Sequence, residues 1–411
     1  MGEQADRLIP VTGDLCQPLL GLDEATVADL KGNISHFCHF AAIYDLKASA
    51  EAQIATNIDG TRNAVQLAEA IDAGCFQHVS SIAAGGMYRG TFREDMFEEA
   101  ERLDHPYFST KHDSEGIVRN ECKVPYRIYR PAMVVGHSKT GEIDKIDGPY
   151  YLFGGLKKLR NLLPPWFPLV GIETGLANVV PVDYVVDAID YLAHLPDHDG
   201  GCFHLTNPDH YSMGELINIF AEAGNTPKLG MRFDRKIFSF MPAGLTAIVG
   251  KLPPVKRLRT ALYETLEMPE DASVFFDYET RYDSRDTRRL LEGSGIEVPR
   301  LPTYAPAIWD YWERNLDPDL FTDNSLEGNV KGKIVLVTGG SSGIGEAIAH
   351  KMAGAGAIVL MTARTLENLE AVKTAIESKG GTAHIYQCDI AEMESCDKLV
   401  AQVLKDHGHI D

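Results

Sequence analysis

The chain has 411 residues, of which 44% are hydrophobic and 24% charged, enough apolar material for the cores of two or three domains. Its 39 basic and 59 acidic residues leave a formal net charge of −20, which argues against nucleic acid as a partner. Seven scattered cysteines (Cys16, Cys38, Cys75, Cys122, Cys202, Cys388 and Cys396) form no CxxC pair, so they read as reduced thiols in a cytoplasmic protein and not as a disulfide framework or zinc site. The first residues show no charged-then-apolar signal pattern, no apolar run is long enough to span a bilayer, and the histidines lack metal-ligand spacing.

Strands and helices alternate from the start. A short strand is expected at Leu8–Thr12, a helix at Leu22–Leu30, a strand at His36–Ala42, a long amphipathic helix at Ile54–Ala70 and a strand at Phe76–Ser81. This order predicts a parallel sheet covered by helices on both faces. From about Gly136 the pattern changes, and prolines cluster at Leu163–Val170 and Lys251–Arg257. That marks a smaller, mixed substrate lobe over about 137–300, within a first module of residues 1–318. The polar stretch 319–332 reads as a linker. The βα pattern then restarts with strands expected at Lys333–Gly339, Ala357–Ala363 and His384–Cys388, and helices at Gly345–Gly354 and Leu366–Ser378. PVTGDLCQP around Asp14 and IYQCDIAEM around Asp389 are alike, a strand ending in Asp before a helix. The expected fold class is α/β: Rossmann-like, doubly wound parallel sheets in tandem, with residues 333–411 as the N-terminal part of the second.

The most specific motif is TGGSSGIG, Thr338 to Gly345 (Thr338, Gly339, Ser341, Ser342, Gly343, Ile344, Gly345), between a strand and a helix. Gly339 allows a sharp turn, Gly343 close approach of backbone to a pyrophosphate, and Gly345 tight packing of helix on sheet. Backbone N–H groups at the helix start then face the phosphates. The second strand ends at Arg364. An acidic residue there would hold the ribose 2′-hydroxyl of NADH, whereas an arginine suits the 2′-phosphate of NADPH, so NADPH is the expected cofactor.

One YxxxK occurs in the chain, Tyr107 to Lys111. On a helix the two side chains lie one turn apart on one face. An ammonium near a phenol favours the phenolate, and Tyr107 could then give a proton to a carbonyl oxygen as hydride arrives. Ser81, at the end of the strand before this helix, could bond the same oxygen, with Ser80 as the alternative. A surface Tyr–Lys pair beside a Ser-rich strand end is the plainer reading of the same residues. His39, taken alone, reads as a core histidine.

Further segments carry a resemblance: VTGDL with Asp14, HFAA with Ala41 and Ala42, TNIDGTRNAVQLA, YRPAMVVG with Pro131, and NVVPVDYVVDAI. Through these the first module resembles the extended, epimerase/dehydratase-like short-chain dehydrogenases, while TGxxxGIG resembles the classical ones. The whole chain resembles bacterial alcohol-forming fatty acyl-CoA reductases with two such modules. The resemblance implies Ser81, Tyr107 and Lys111 as the catalytic set, and Asp14 and Asp389 beside an adenine. It also implies Ala41, Ala42 and Pro131 beside a cofactor, and reduction of a fatty acyl-CoA or fatty aldehyde to an alcohol with NADPH. Against it, the first module lacks a first strand and glycine loop, and the second lacks its own Ser, Tyr and Lys. A chain truncated at both ends, and poor as a catalyst, is therefore expected.

The apolar stretch Ile237–Gly250, flanked by Lys236 and Lys251 and followed by Lys256, Arg257 and Arg259, is expected to border the acyl entry. The basic cluster would meet CoA phosphates or a membrane surface, with a core helix and solvated end as the alternative. A homo-oligomer is expected. The competing functional readings are another extended-branch enzyme acting on a sugar nucleotide or hydroxysteroid, and a non-catalytic dinucleotide-sensing module.

Overall fold

The computed structural model describes residues 7–43, 49–173, 175–234, 278–323 and 325–411. The chain divides into two compact units, Met1–Leu316 and Asp317–Asp411. The apolar stretch and basic cluster between Lys236 and Arg259 lie outside the described residues.

In the first unit four strands form one parallel sheet, β1 (His36–His39), β2 (Cys75–Val79), β3 (Tyr126–Pro131) and β4 (Cys202–Leu205), in that order. The register aligns His39 with His78, Val79 with Tyr129 and Tyr129 with Phe203. Alternate residues face opposite sides of such a sheet. Phe76 and Ile128 pack against α2 (Gly60–Ala70) and α3 (Pro106–Glu121) through Ala64, Leu67, Ile117 and Val118. Tyr129, Phe203 and Leu205 pack instead against Tyr184, Ala188 and Leu192 of α5 (Val182–Ala193). Helices on both faces of a parallel sheet make this unit Rossmann-like.

Helix α1 (Glu24–Leu30) begins at Asp23, whose carboxylate accepts the Thr26 amide at 2.7 Å. Residues 8–13, expected to include a strand, carry no regular secondary structure, and Leu8, Ile9 and Val11 are exposed. An extended segment becomes a strand only by pairing, and among the described residues none pairs with it or with the outer edge of β1. The helix expected from Ile54 opens as a π-helical turn, Ile54–Asp59, before α2 continues to Ala70.

A second core is built around Phe153, whose ring lies 5.0 Å from Tyr150, 4.7 Å from Phe220, 4.9 Å from Trp309 and 5.4 Å from Trp312. It joins helices α4 (Tyr151–Leu162), α6 (Met213–Ala223) and α7 (Leu301–Asn315). The 135–221 stretch thus shares its core with a helix from the end of the unit.

Across α3 and the sheet runs a buried polar network. Glu115 and Arg130 are fully buried and paired, with Arg130 Nε donating to Glu115 Oε2 at 3.0 Å and Nη2 to Oε1 at 2.6 Å. Arg119 Nε donates to Glu115 at 2.8 Å, and Ser80 Oγ at 2.7 Å. Arg130 Nη1 donates to His204 Nε2 at 3.2 Å, and His204 Nδ1 donates to the Asp283 carbonyl at 2.8 Å, so His204 is neutral. Burial alone would raise the Glu115 carboxyl, but the Arg130 guanidinium and its hydrogen bonds hold it down at about 2.

The second unit is a three-stranded parallel sheet with β5 (Ile334–Thr338), β6 (Ile358–Ala363) and β7 (Thr382–Gln387) in that order. Helices α8 (Gly343–Gly354) and α9 (Leu366–Glu377) pack on one face through Ala349, Ala353, Leu369 and Val372. Helix α10 (Met393–His407) packs on the other through Leu399 and Val403. The stretch before β5, read from sequence as a linker, contains a 3-10 turn at Pro318–Phe321 and a short helix at Leu326–Val330.

Because a depressed carboxyl contributes stability above its unfolded value, the Glu115 contribution is present above pH 4.5 and is lost as pH falls toward 2. Glu115→Ala strands a buried guanidinium and is expected to cost about 3–5 kcal/mol in denaturant unfolding. Arg130→Met should cost a similar amount, and the double variant much less than the sum of the two.

Candidate active site and dinucleotide loop

In the first unit the C-terminal ends of β2 and β3 and the first turn of α3 meet at a cavity. Helix α3 starts at Pro106, whose ring suits the first helical position. The His105 side chain caps it, Nδ1 accepting the Tyr107 amide at 3.2 Å. Tyr107 therefore sits in the first turn, with Lys111 one turn further on. Ser81 follows β2; its Oγ accepts the Ala83 amide at 3.1 Å and lies 3.5 Å from Tyr107 Oη. Ser80 is turned to Glu115 instead, so Ser81 is the serine that meets the tyrosine.

Lys111 is only 6% exposed, and burial lowers it from 10.5 to about 8. Beside it the rings of His39 and His78 stack at 5.6 Å. Burial, and in lesser part the Lys111 charge, push His39 down to about 4 and His78 well below its usual value. Both imidazoles are thus neutral near pH 7. His39 Nε2 bonds Thr61 Oγ1 at 3.1 Å, which fits the core reading of this histidine.

The cavity encloses about 710 Å³. Ser81, Tyr107, Lys111, Ala42 and Pro131 line it, together with apolar Met133, Val135, Ile143, Leu152, Met213 and Leu216. Glu142, Asp144, Lys145 and Asp147 line it from one loop. Asp14 and Ala41 are not among the lining residues; Asp14 is exposed and accepts the Cys16 amide at 2.9 Å.

Three residues here went unread in the sequence. Asn57 is buried in the π-helical turn and clamps the loop after β1, its side chain accepting from and donating to the Ile43 backbone, each at 2.8 Å. Its Nδ2 also lies 3.4 Å from Thr110 Oγ1, beside Lys111. The available signal was an Asn within TNIDGT, just past the HFAA segment. Tyr278 and Tyr282 line the cavity from a stretch with no sequence signal of its own.

In the second unit the strand ends collect the remaining candidates. Gly339 has φ +68°, and its amide donates to the Thr362 carbonyl at 2.8 Å. A Cβ on Gly345 would lie 2.1 Å from the Gly339 carbonyl oxygen, so only glycine lets α8 start this close to the loop. Gly343 has open space around it, and no side chain caps α8 at Ser342. Thr338, Ser342 and Ile344 are exposed and Ser341 is half-buried. The first amides of α8 are thus accessible, a cradle that fits a dinucleotide pyrophosphate. Arg364 follows β6 and is exposed, and Asp389 follows β7, its Oδ1 accepting the Ala391 amide at 3.1 Å. Among the described residues no group of His, Cys, Asp or Glu could hold a metal ion, and no helix is long and apolar enough to cross a membrane.

This arrangement, parallel sheets with a glycine loop in one unit and a Ser–Tyr–Lys set in the other, defines a nicotinamide-dependent reductase class, and comparison with known proteins agrees. Residues 1–189 match the NAD-binding family described as Male sterility protein, and residues 333–411 match the short chain dehydrogenase family. The chain thus carries one segment similar to each of these families. It is 48% identical over 117 residues, 28% of this chain, to an uncharacterized oxidoreductase of Mycobacterium tuberculosis. It is 53% identical over 83 residues, 20% of this chain, to the fatty acyl-CoA reductase of Acinetobacter baylyi. The chain covers 34% of the first relative's length and 28% of the second's. Among solved structures, the terminal R domain of the myxalamid PKS-NRPS pathway is similar, with a TM-score of 0.57 at 27% identity, covering 76% of each chain.

The lowering of Lys111 to about 8 corresponds to on the order of 3 kcal/mol of strain on the buried cation. That cost is present in full below about pH 8 and fades as pH rises toward 10.5, where the unfolded lysine also loses its proton. Lys111→Met should therefore melt at higher temperature than the parent at pH 7, with an advantage that shrinks above pH 8. Calorimetry across this range checks it; a lower melting temperature at pH 7 would contradict the cost assigned to the buried ammonium.

Proposed function

We propose that this protein reduces long-chain fatty acyl-CoA, fatty aldehyde or both to fatty alcohol, using NADPH. The observation that carries the reading is Tyr107, 3.5 Å from Ser81 and one helical turn from Lys111, in a cavity otherwise lined largely by aliphatic side chains. Such a cavity suits a substrate with one carbonyl and a long apolar remainder. The similarity to a fatty acyl-CoA reductase supports the same substrate class.

Ser81 donates a hydrogen bond to the carbonyl oxygen, orienting it toward the Tyr107 hydroxyl. Tyr107 gives its proton to that oxygen as negative charge develops there. The Lys111 ammonium, held in a low-dielectric wall, stabilises the phenolate left behind. The nicotinamide supplies the hydride. In the second unit, the Gly339–Gly345 loop would hold a pyrophosphate, Arg364 the 2′-phosphate, and Asp389 the adenine side of the site.

Tyr107→Phe in the intact protein should lower turnover of a long-chain aldehyde by roughly 10²-fold, the scale of general acid catalysis, with NADPH affinity nearly unchanged. Wild-type turnover in that variant would remove Tyr107 from the reaction. Arg364→Asp should weaken NADPH binding while sparing NADH, because the 2′-phosphate loses its counter-charge. Calorimetric titration with both cofactors measures this, and an unchanged preference would leave Arg364 as a solvent-facing side chain.

A further inference from the structure

The cavity that holds Tyr107 extends well beyond the catalytic set. Ser81, Tyr107 and Lys111 line it where the ends of β2 and β3 meet the first turns of α3. Every residue from Pro131 to Val135 also lines it, from the end of β3 through the short strand Met133–Val135. At a strand rise of roughly 3.3 Å per residue, this run covers no more than about 13 Å. Val135 is fully buried in the core around Phe153, and Leu152, Met213 and Leu216 belong to that same core while lining the cavity. Tyr107 packs against a different cluster, with Phe108 and Tyr278. The cavity therefore reaches from the Tyr107 side of the unit into the second core.

The far end is closed by side chains in fixed positions. Met213 and Leu216 lie three residues apart in the first turn of α6, and so on one face of it. A capping box fixes where that helix starts: Ser212 Oγ accepts the Glu215 amide at 3.3 Å, and Glu215 Oε2 accepts the Ser212 amide at 2.9 Å. Leu216 is only 1% exposed. One turn further on, the ring of Phe220 lies 4.7 Å from that of Phe153, so aromatic core backs this wall. Leu152 reaches the cavity from the first turn of α4. The rim is unlike it: Glu142, Asp144 and Lys145 line the cavity and are exposed. An alkyl chain gains free energy with each methylene that leaves water for apolar surroundings, which the far end offers and the charged rim does not.

We propose that Leu216, with Met213 and Leu152, is the wall that limits the length of alkyl chain held in this cavity, the tail lying along Pro131–Val135 with its end against the Phe153 core. This rests on the reductase reading above and deepens it to the chain-length class of the substrate. With the carbonyl at Tyr107, an extended chain advances by somewhat less than one C–C bond per carbon, so the run to Val135 takes roughly ten carbons. A shorter chain ends before Leu216. The carbons of a longer one meet the wall and must turn toward the rim. A close-packed interior does not yield by a whole methylene without cost, so the size of the side chain at 216 decides how many carbons fit.

The test compares kcat/KM for dodecanal and hexanal with NADPH in the intact protein and its variants. Calorimetric titration with dodecanol and hexanol reads the same cavity without turnover. Leu216→Trp fills the far end and should lower the dodecanal-to-hexanal ratio about tenfold, with the alcohol affinities following. Leu152→Phe narrows the same end from α4 and should lower the ratio too. Leu216→Ala opens the wall toward Phe153 and should raise it. A purely structural role would change both chain lengths alike and leave the ratio where it was. Melting curves identify which variants are folded, and any one of the three reads the ratio. An unchanged ratio, or a ratio that moves the same way in Leu216→Trp and Leu216→Ala, overturns the proposal. If the parent reduces no aldehyde while the alcohol affinities shift as expected, the reductase reading falls and the tail site stands. If aldehydes are reduced and neither ratio moves, the tail site falls and the reductase reading stands.

Discussion

The buried pair between Glu115 and Arg130 is the contact on which the first unit's site depends. Glu115 lies one turn beyond Lys111 on the same helix, and the same carboxylate takes the Ser80 hydroxyl and the Arg119 guanidinium. One anion therefore ties the helix carrying Tyr107 and Lys111 to the strand end carrying Ser81 and to the neighbouring strand. A charge removed from water is tolerated only when its partners are complete, and here the carboxylate meets donors from three elements. The rotation of α3 about its axis is constrained by that geometry, and with it the 3.5 Å approach of Ser81 to Tyr107. The Ser80 hydroxyl gives its proton to this same carboxylate, while Ser81 lies beside Tyr107.

The cavity sets unlike demands side by side. The Lys111 ammonium and the phenols of Tyr107, Tyr151, Tyr278 and Tyr282 share a largely apolar wall, and two neutral imidazoles, His39 and His78, stack beside the ammonium. In such a medium each polar group shifts the ionisation of its neighbours more than it would in water. The second unit uses the opposite strategy, with an exposed loop and no side-chain cap at the start of its helix.

Much of this was legible in the sequence where the signal is local. The strand–glycine loop–helix of Thr338–Gly354 is fully specified by neighbouring residues, because the turn needs φ > 0 at Gly339 and the close approach needs no Cβ at Gly345. The helix carrying Tyr107 and Lys111 is likewise announced by proline at its start and by the YxxxK spacing. The expected strand near Leu8 failed for the complementary reason: alternation of apolar residues describes a chain that can pair, and pairing needs a neighbour. The π-helical turn before α2 was hidden because apolar periodicity continues through it.

By itself, then, the sequence determined the α/β alternation, the phosphate-type loop and the spacing that sets Tyr107 and Lys111 one turn apart on one helix. Each of these is encoded over a few adjacent residues by backbone sterics or helical spacing. Only the tertiary structure turned Ser80 to Glu115 and set Ser81 near Tyr107, brought Asn57 to the loop at Ile43, and set Tyr278 and Tyr282 beside the cavity. These depend on contacts between residues far apart in the chain: 35 positions separate Ser80 from Glu115, and 200 separate Ile82 from Tyr282. No local pattern carries such information, because which side chains meet is set by how the fold brings distant segments together.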